Sequence, residues 1–221
     1  MPHETASWTV HATLSSVVNA HPTAPRPSPP QVARQPIWSP AGDLHGYELL
    51  YRTSDGTPAG VDGWDEGRQE DATEAVLARI ASMDLGDALA FVNVTRGYLV
   101  ESRTLPPHRG QLVLEVVETV PADDDSLAGL TRLRDAGYRL ALDDFTASAA
   151  QLAMLPWADY VKIDCRDLVQ HGNALVELAR SGGAQVVAER VSDRALVDHC
   201  VSWGFDLLQG DVLGPAATLR A

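Results

Sequence analysis

The sequence predicts an α/β protein built as a modified (β/α)8 barrel with one antiparallel strand. Three observations predict it. Eight short apolar runs are spread along the 221 residues, and segments of helical spacing lie between them. The runs are nearly continuous in apolar residues, as parallel strands covered on both faces must be. The first two runs sit too close together for a crossover helix. Eight strands suit a barrel, but the span from 35 to 215 is short for a fold that usually takes ~250 residues, so some helices must be trimmed.

Residues 1–30 end in HPTAPRPSPP and read as a flexible, Pro-rich leader, with the barrel domain over 31–221. QPIW (35–38) and GYELLY (46–51) are strands joined by the turn SPAGDLHG, a hairpin that breaks the all-parallel rule. DATEAVLARIASM (71–83) has apolar residues at helical spacing, and LAFVNV (89–94) and LVLEVVE (112–118) are the next strands. DDSLAGLTRLRDAG (124–137) opens on acids suited to a helix N-terminus and closes on Gly137. RLALDDF (139–145) and YVKID (160–164) are strands, and NALVELARSGG (173–183) is a helix ending in glycines. QVVAE (185–189), the helix DRALVDHCVSWG (193–204) and the strand run DLLQGD (206–211) complete the series.

Thirty acidic residues against 17 basic ones give a net charge of -13. That excludes DNA and an anionic membrane as main partners, since both demand basic surface. Cys165 and Cys200 have no C-x-x-C spacing, which points to a reduced, cytoplasmic setting. No stretch approaches the ~18 apolar residues of a membrane span, and the first residues lack the basic and apolar regions of a secretory signal.

The chemistry lies at the C-terminal ends of the runs. Lys162, the one lysine among the 17 basic residues, stands inside the apolar run YVKID. Asp164 ends the same run, and Glu48, Arg52, Asn93, Glu115, Glu118, Asp143, Asp144, Glu189 and Gln209 occupy the ends of the other runs or lie close to them. In a barrel these ends converge on one face. A buried carboxylate costs several kcal/mol or takes up a proton, so a group of them calls for cations. Oxygen donors alone suit Mg²⁺ or Mn²⁺. The adjacent Asp143 and Asp144 allow one carboxylate to bridge two ions, a recurrent device for phosphoester hydrolysis. A compact ammonium at Lys162 would orient water or neutralise phosphate.

Each residue also has a plainer role. Lys162 pairs with a buried acid such as Asp143 or Glu189. The paired aspartates cap a helix, Asn93 is a satisfied polar group near a loop, and Gln209-Gly210 is a turn. Asp164 reads as structural, on the strand face opposite its inward neighbours. His45, His108, His171 and His199 are surface or packing residues, Cys165 and Cys200 pack as small apolar groups, and Trp157 and Trp203 pack on helices. The joint placement over seven runs, rather than any one motif, favours a functional site.

The order GYELL, FVNVT, LVLEVVE, LALDDF, VKID, VVAERV and LLQGD resembles the EAL domain, a family of cyclic di-GMP phosphodiesterases and inactive relatives, over roughly residues 31–218. QPIW and VLEVVETVPADDD are most similar to the EAL portion of EAL-HDOD proteins, with the HDOD domain absent. The resemblance implies a barrel with one antiparallel strand and two Mg²⁺ or Mn²⁺ ions. It assigns Glu48, Asn93, Glu115 and Asp143 to one ion, and Asp143, Asp144 and Glu189 to the other. Lys162 and Gln209 would hold the attacking water or substrate, and Glu118 would steady the loop after the aspartates. Arg52, with Gln35 and Leu50, would contact substrate. A homodimer through the barrel and a signalling protein partner are further expectations.

Several positions depart from the pattern of active members. Leu49 replaces the signature alanine. Phe145-Thr146-Ala147-Ser148 replaces Phe-Gly-Thr-Gly, which removes φ > 0 freedom. Arg190 and Ser192 stand where Gly and Glu are usual, and Asp211 where an aromatic is usual. The enzyme reading is hydrolysis of cyclic di-GMP to linear pGpG. The alternative is a receptor or interaction scaffold without turnover. A barrel enzyme for another phosphodiester is a third reading.

Overall fold

The computed structural model describes residues 30–107, 110–166, 168 and 172–219. The expected leader, Pro30 apart, lies outside them, as do His108 and His171. Strands β1 (Gln31–Trp38), β2 (Leu44–Arg52), β3 (Leu89–Val94), β4 (Leu112–Val116), β5 (Arg139–Leu142), β6 (Tyr160–Asp164), β7 (Gln185–Glu189) and β8 (Leu207–Gln209) close into a barrel. β2 to β8 run parallel in sequence order, and β1 closes the ring antiparallel to both β2 and β8. The hairpin expectation holds, with Gln35 opposite Glu48 and Ile37 opposite Gln209. A two-residue strand, β9 (Ala217–Thr218), adds to the N-terminal part of β1.

Helices α1 (Glu66–Ile80), α2 (Arg96–Leu99), α3 (Asp124–Asp135), α4 (Ala149–Met154), α5 (Asn173–Arg180) and α6 (Arg194–Ser202) connect the strands. α1 starts earlier than apolar spacing implied, because its first turn, EGRQE, is polar and Asp65 caps it by accepting from Arg68 N. Asp123 and Asp193 cap α3 and α6 in the same way. α2 and α4 span only four and six residues, which is how the barrel fits a short chain.

Period-two alternation divides the core. Ile37, Leu89, Phe91, Val113, Ala141, Tyr160, Val187 and Leu207 form one buried cluster inside the bore. The outward residues of the same strands, such as Val92, Leu114, Leu140 and Val186, pack on Val76, Leu130, Val176 and Val197 of the helices. Each such side chain taken fully from water contributes about 1.5–3 kcal/mol. Two residues along the bore-facing side of six strands come Asn93, Glu115, Asp143, Lys162, Glu189 and Gln209. The bore therefore changes from apolar to ionic at one level, near the C-terminal ends of the parallel strands.

Candidate active site

Lys162, 1% exposed, is the centre of the ionic level. Its Nζ stands 2.8 Å from Glu115 Oε1, 2.8 Å from Glu189 Oε1, 3.1 Å from Asp143 Oδ1 and 3.5 Å from Glu48 Oε2. The plain role and the functional one coincide here: the lysine does pair with Asp143 and Glu189. The Glu115 contact is an ion pair without hydrogen-bond alignment. With its amide nitrogen turned to the acids, Asn93 donates to Glu115 Oε2 at 3.1 Å and Asp143 Oδ2 at 3.2 Å. Gln209 Nε2 donates to Glu48 Oε2 at 2.6 Å and Gln35 Oε1 at 3.2 Å. Gln209 Oε1 is buried without a partner.

The charges do not balance: four carboxylates face one ammonium. Burial pushes Glu115 well above the usual carboxylate range, although the Lys162 charge opposes it. Burial likewise raises Glu189 to about 8, and burial with the Asp143 charge raises Asp144 to about 6. Burial works against the Lys162 charge, but the surrounding carboxylates outweigh it and hold the ammonium well above the usual lysine range. Among the described residues the acids meet at the ammonium, and no three acidic, His or Cys side chains frame a metal position of their own. The donor set still fits a hard divalent cation. It is all oxygen, it carries excess negative charge, and it includes the unpartnered Gln209 Oε1.

Above this floor opens a cleft of 610 Å³ lined by Gln35, Glu48, Leu50, Asn93, Glu118, Asp143, Asp144, Glu189 and Gln209, among others. Gln35 is held by Gln209 and donates to Asp211 Oδ1 at 3.3 Å. Arg52 does not line the cleft. It lies in an adjoining 230 Å³ hollow that also touches Leu50 and Asn93, and donates to the Tyr51 carbonyl at 3.1 Å.

The loop after the paired aspartates is organised differently from expectation. Left-handed backbone falls on Asp144 (φ 40) and Ala147 (φ 60), not on the two positions where glycines are missing. Ser148 instead caps α4 in a reciprocal box with Gln151. Glu118 is exposed and lines the cleft. The buried Gln151 does the holding. Its Nε2 donates to the Asp143 and Asp144 carbonyls at 3.0 Å each, and its Oε1 accepts from Thr146 N at 3.0 Å and Ser148 N at 3.3 Å. Sequence reasoning missed Gln151, although S-x-x-Q before an apolar stretch was the available signal.

Asp164 also needs correction. Residues two apart share a strand face, so Asp164 lies on the face of Lys162, opposite Glu189 in register. It is 4% exposed and pairs with Arg166 and Arg190. Cys165 and Cys200 pack as expected, buried with sulfurs 3.5 Å apart. His45 is half-buried at the opposite end of the bore, its Nε2 3.0 Å from Tyr160 Oη, and His199 stacks on Trp203.

The chain matches the EAL domain family over residues 32–216. It is 31% identical to the cyclic di-GMP phosphodiesterase CdgJ of Vibrio cholerae over 184 residues, 81% of this chain and 42% of that protein. It therefore spans under half the length of that relative. A Klebsiella pneumoniae BlrP1 structure, a complex with calcium and cyclic di-GMP, superposes with a TM-score of 0.70 at 25% identity, covering 88% of this chain and 58% of that one. The manganese and cyclic di-GMP complex of BlrP1 at pH 6 gives 0.69 at 26%, covering 86% and 56%.

Proposed function

The chain belongs to the EAL domain family, and from that membership we propose that it is a phosphodiesterase that opens cyclic di-GMP to linear pGpG. One observation carries the reading: a fully buried ammonium ringed by Glu48, Glu115, Asp143 and Glu189 at the floor of an open cleft. The cost of burying those charges is hard to account for without a polar ligand above them. The ligands in the BlrP1 complex and the activity of CdgJ support the same substrate.

Glu48, Asn93, Glu115, Asp143, Asp144 and Glu189 would hold two divalent cations, Mg²⁺ or Mn²⁺. Bound there, the ions supply Lewis acidity toward the phosphate and an activated water. Lys162 keeps its charge throughout the neutral range, so its Nζ is a fixed donor for a water or phosphate oxygen. Gln209 is fixed through Nε2 by Glu48, which aims its amide across the bore and leaves Oε1 to accept. Gln35 and Leu50 border the space for the dinucleotide. In the net reaction water adds to one phosphorus and the 3′ oxygen leaves with a proton.

A receptor or scaffold without turnover is the second reading. It is favoured by the acids converging on Lys162 rather than on a separate metal position. A cytoplasmic location is also part of the proposal; among the described residues no helix is long and apolar enough to cross a membrane. A homodimer and a signalling partner remain part of the proposal.

The test is incubation with cyclic di-GMP and Mn²⁺, with and without chelator, following pGpG by chromatography. Asp143→Asn runs in parallel. Product from the parent chain alone, abolished by chelator, is expected. Binding of intact nucleotide without product would replace the enzyme with the receptor.

A further inference from the structure

Arg190 adopts φ 54, a left-handed backbone that arginine rarely takes. It is held there by its surroundings. Val191 N donates to Gln209 O at 3.0 Å, and the Val191 backbone presses so closely on Gly210 that any Cβ at 210 would meet Val191 O at 2.1 Å. A glycine at 190 would relieve the backbone and give up only the half-exposed side chain's ion pair with Asp164. A strained residue kept at a site points to the work of its side chain.

That side chain is aimed and anchored. Its Nε stands 2.9 Å from Oδ2 of the buried Asp164. Arg166 Nε donates to the same oxygen at 2.9 Å. The rest of the Arg190 side chain is open to solvent, 56% exposed. It lies close enough to Asp144 to favour the ionised carboxylate. Seven acids line the cleft, and among the described residues the only cationic side chains lining it are Arg166 and Arg190. Arg52, the expected phosphate contact, is in the adjoining hollow. An anionic ligand in this cleft has two guanidiniums to meet, both tied to one carboxylate.

We propose that Arg190, positioned by Asp164, is a substrate-binding residue that donates to a phosphate oxygen of the dinucleotide. The proposal rests on the dinucleotide reading above. A guanidinium fixed through Nε presents its terminal amino groups as a fork that suits a phosphate.

Calorimetric titration of cyclic di-GMP in the presence of calcium, the ion of the BlrP1 complex, tests it. The variants are Arg190→Gly and Arg190→Lys. Arg190→Gly should weaken binding about tenfold to a hundredfold, as loss of a charge-assisted hydrogen bond implies. Its affinity should also vary less with salt, while its melting temperature stays level or rises. Arg190→Lys should retain part of the affinity. Mn²⁺ titration without nucleotide should be as tight in Arg190→Gly as in the parent. Equal nucleotide affinity in parent and Arg190→Gly, or a loss explained by weaker Mn²⁺ binding, would overturn the assignment. A parent chain that does not bind the nucleotide sinks the dinucleotide reading itself and this assignment with it.

Discussion

Lys162 Nζ and Glu115 Oε1 stand 2.8 Å apart in the bore, and neither side chain is more than 1% exposed. A pair this deep is costly to break from one side. Lys162→Met leaves four carboxylates with no cation, and should lower stability by about 3–5 kcal/mol. Denaturant titration measures it. Mn²⁺ should raise the melting temperature of Lys162→Met more than that of the parent, because only the variant lacks every internal cation at this level.

Gln151 holds the aspartate loop through four hydrogen bonds. Gln151→Leu keeps the volume and leaves four part-buried backbone groups without this partner. It should cost about 2–3 kcal/mol and weaken Mn²⁺ binding measured by calorimetry, because Asp143 and Asp144 lose their support. Unchanged Mn²⁺ affinity would show that the loop is held from elsewhere.

Ala147 carries positive φ where alanine is disfavoured. Ala147→Gly should raise stability by up to about 1 kcal/mol, the relieved strain less the added freedom of the unfolded chain. Ala147→Val should lower it. Both appear as shifts of the urea midpoint.

His45 sets a pH dependence far from the cleft. Burial, with the Arg139 charge, holds its ring below the usual 6.5. Above that pH the ring is neutral whether the chain is folded or not. As pH falls through 6.5 the unfolded chain takes the proton first, so stability drops until the lower folded value is passed. Arg139, Asp87, Asp159 and Tyr160 line the same end of the bore, and burial raises the Tyr160 phenol above its usual range. His45→Phe should flatten the stability profile in that range, read from melting temperatures at several pH values.

The strands were legible because two signals agreed, short apolar runs and polar residues recurring at their ends. Lys162 stood out since a charge inside YVKID has no cheap explanation. Boundaries failed where the pattern is polar, as in the first turn of α1. The four-residue α2 and two-residue β9 are too short to show a period. Arg52 lines the adjoining hollow rather than the main cleft, because a strand position fixes the backbone while a long side chain chooses its own space. Gln151 was overlooked since glutamine in a helix start is ordinary until its carbonyl partners are known. The face of Asp164 could have been read from the period of two.

Because β1 is the seam of the barrel, closure joins the two ends of the described chain. Gln35 and Gln209 are 174 positions apart and hydrogen-bonded. Such a contact carries a large loop entropy and forms late. On a ribosome, the strands from β2 to β7 can pair in order as they emerge, but β1 has no second neighbour until β8 is synthesised. Gln209, and with it the orientation of Glu48, is set only at that moment. The site is therefore an end product of folding: fragments that stop short of β8 should accumulate as open, siteless sheets with an exposed edge.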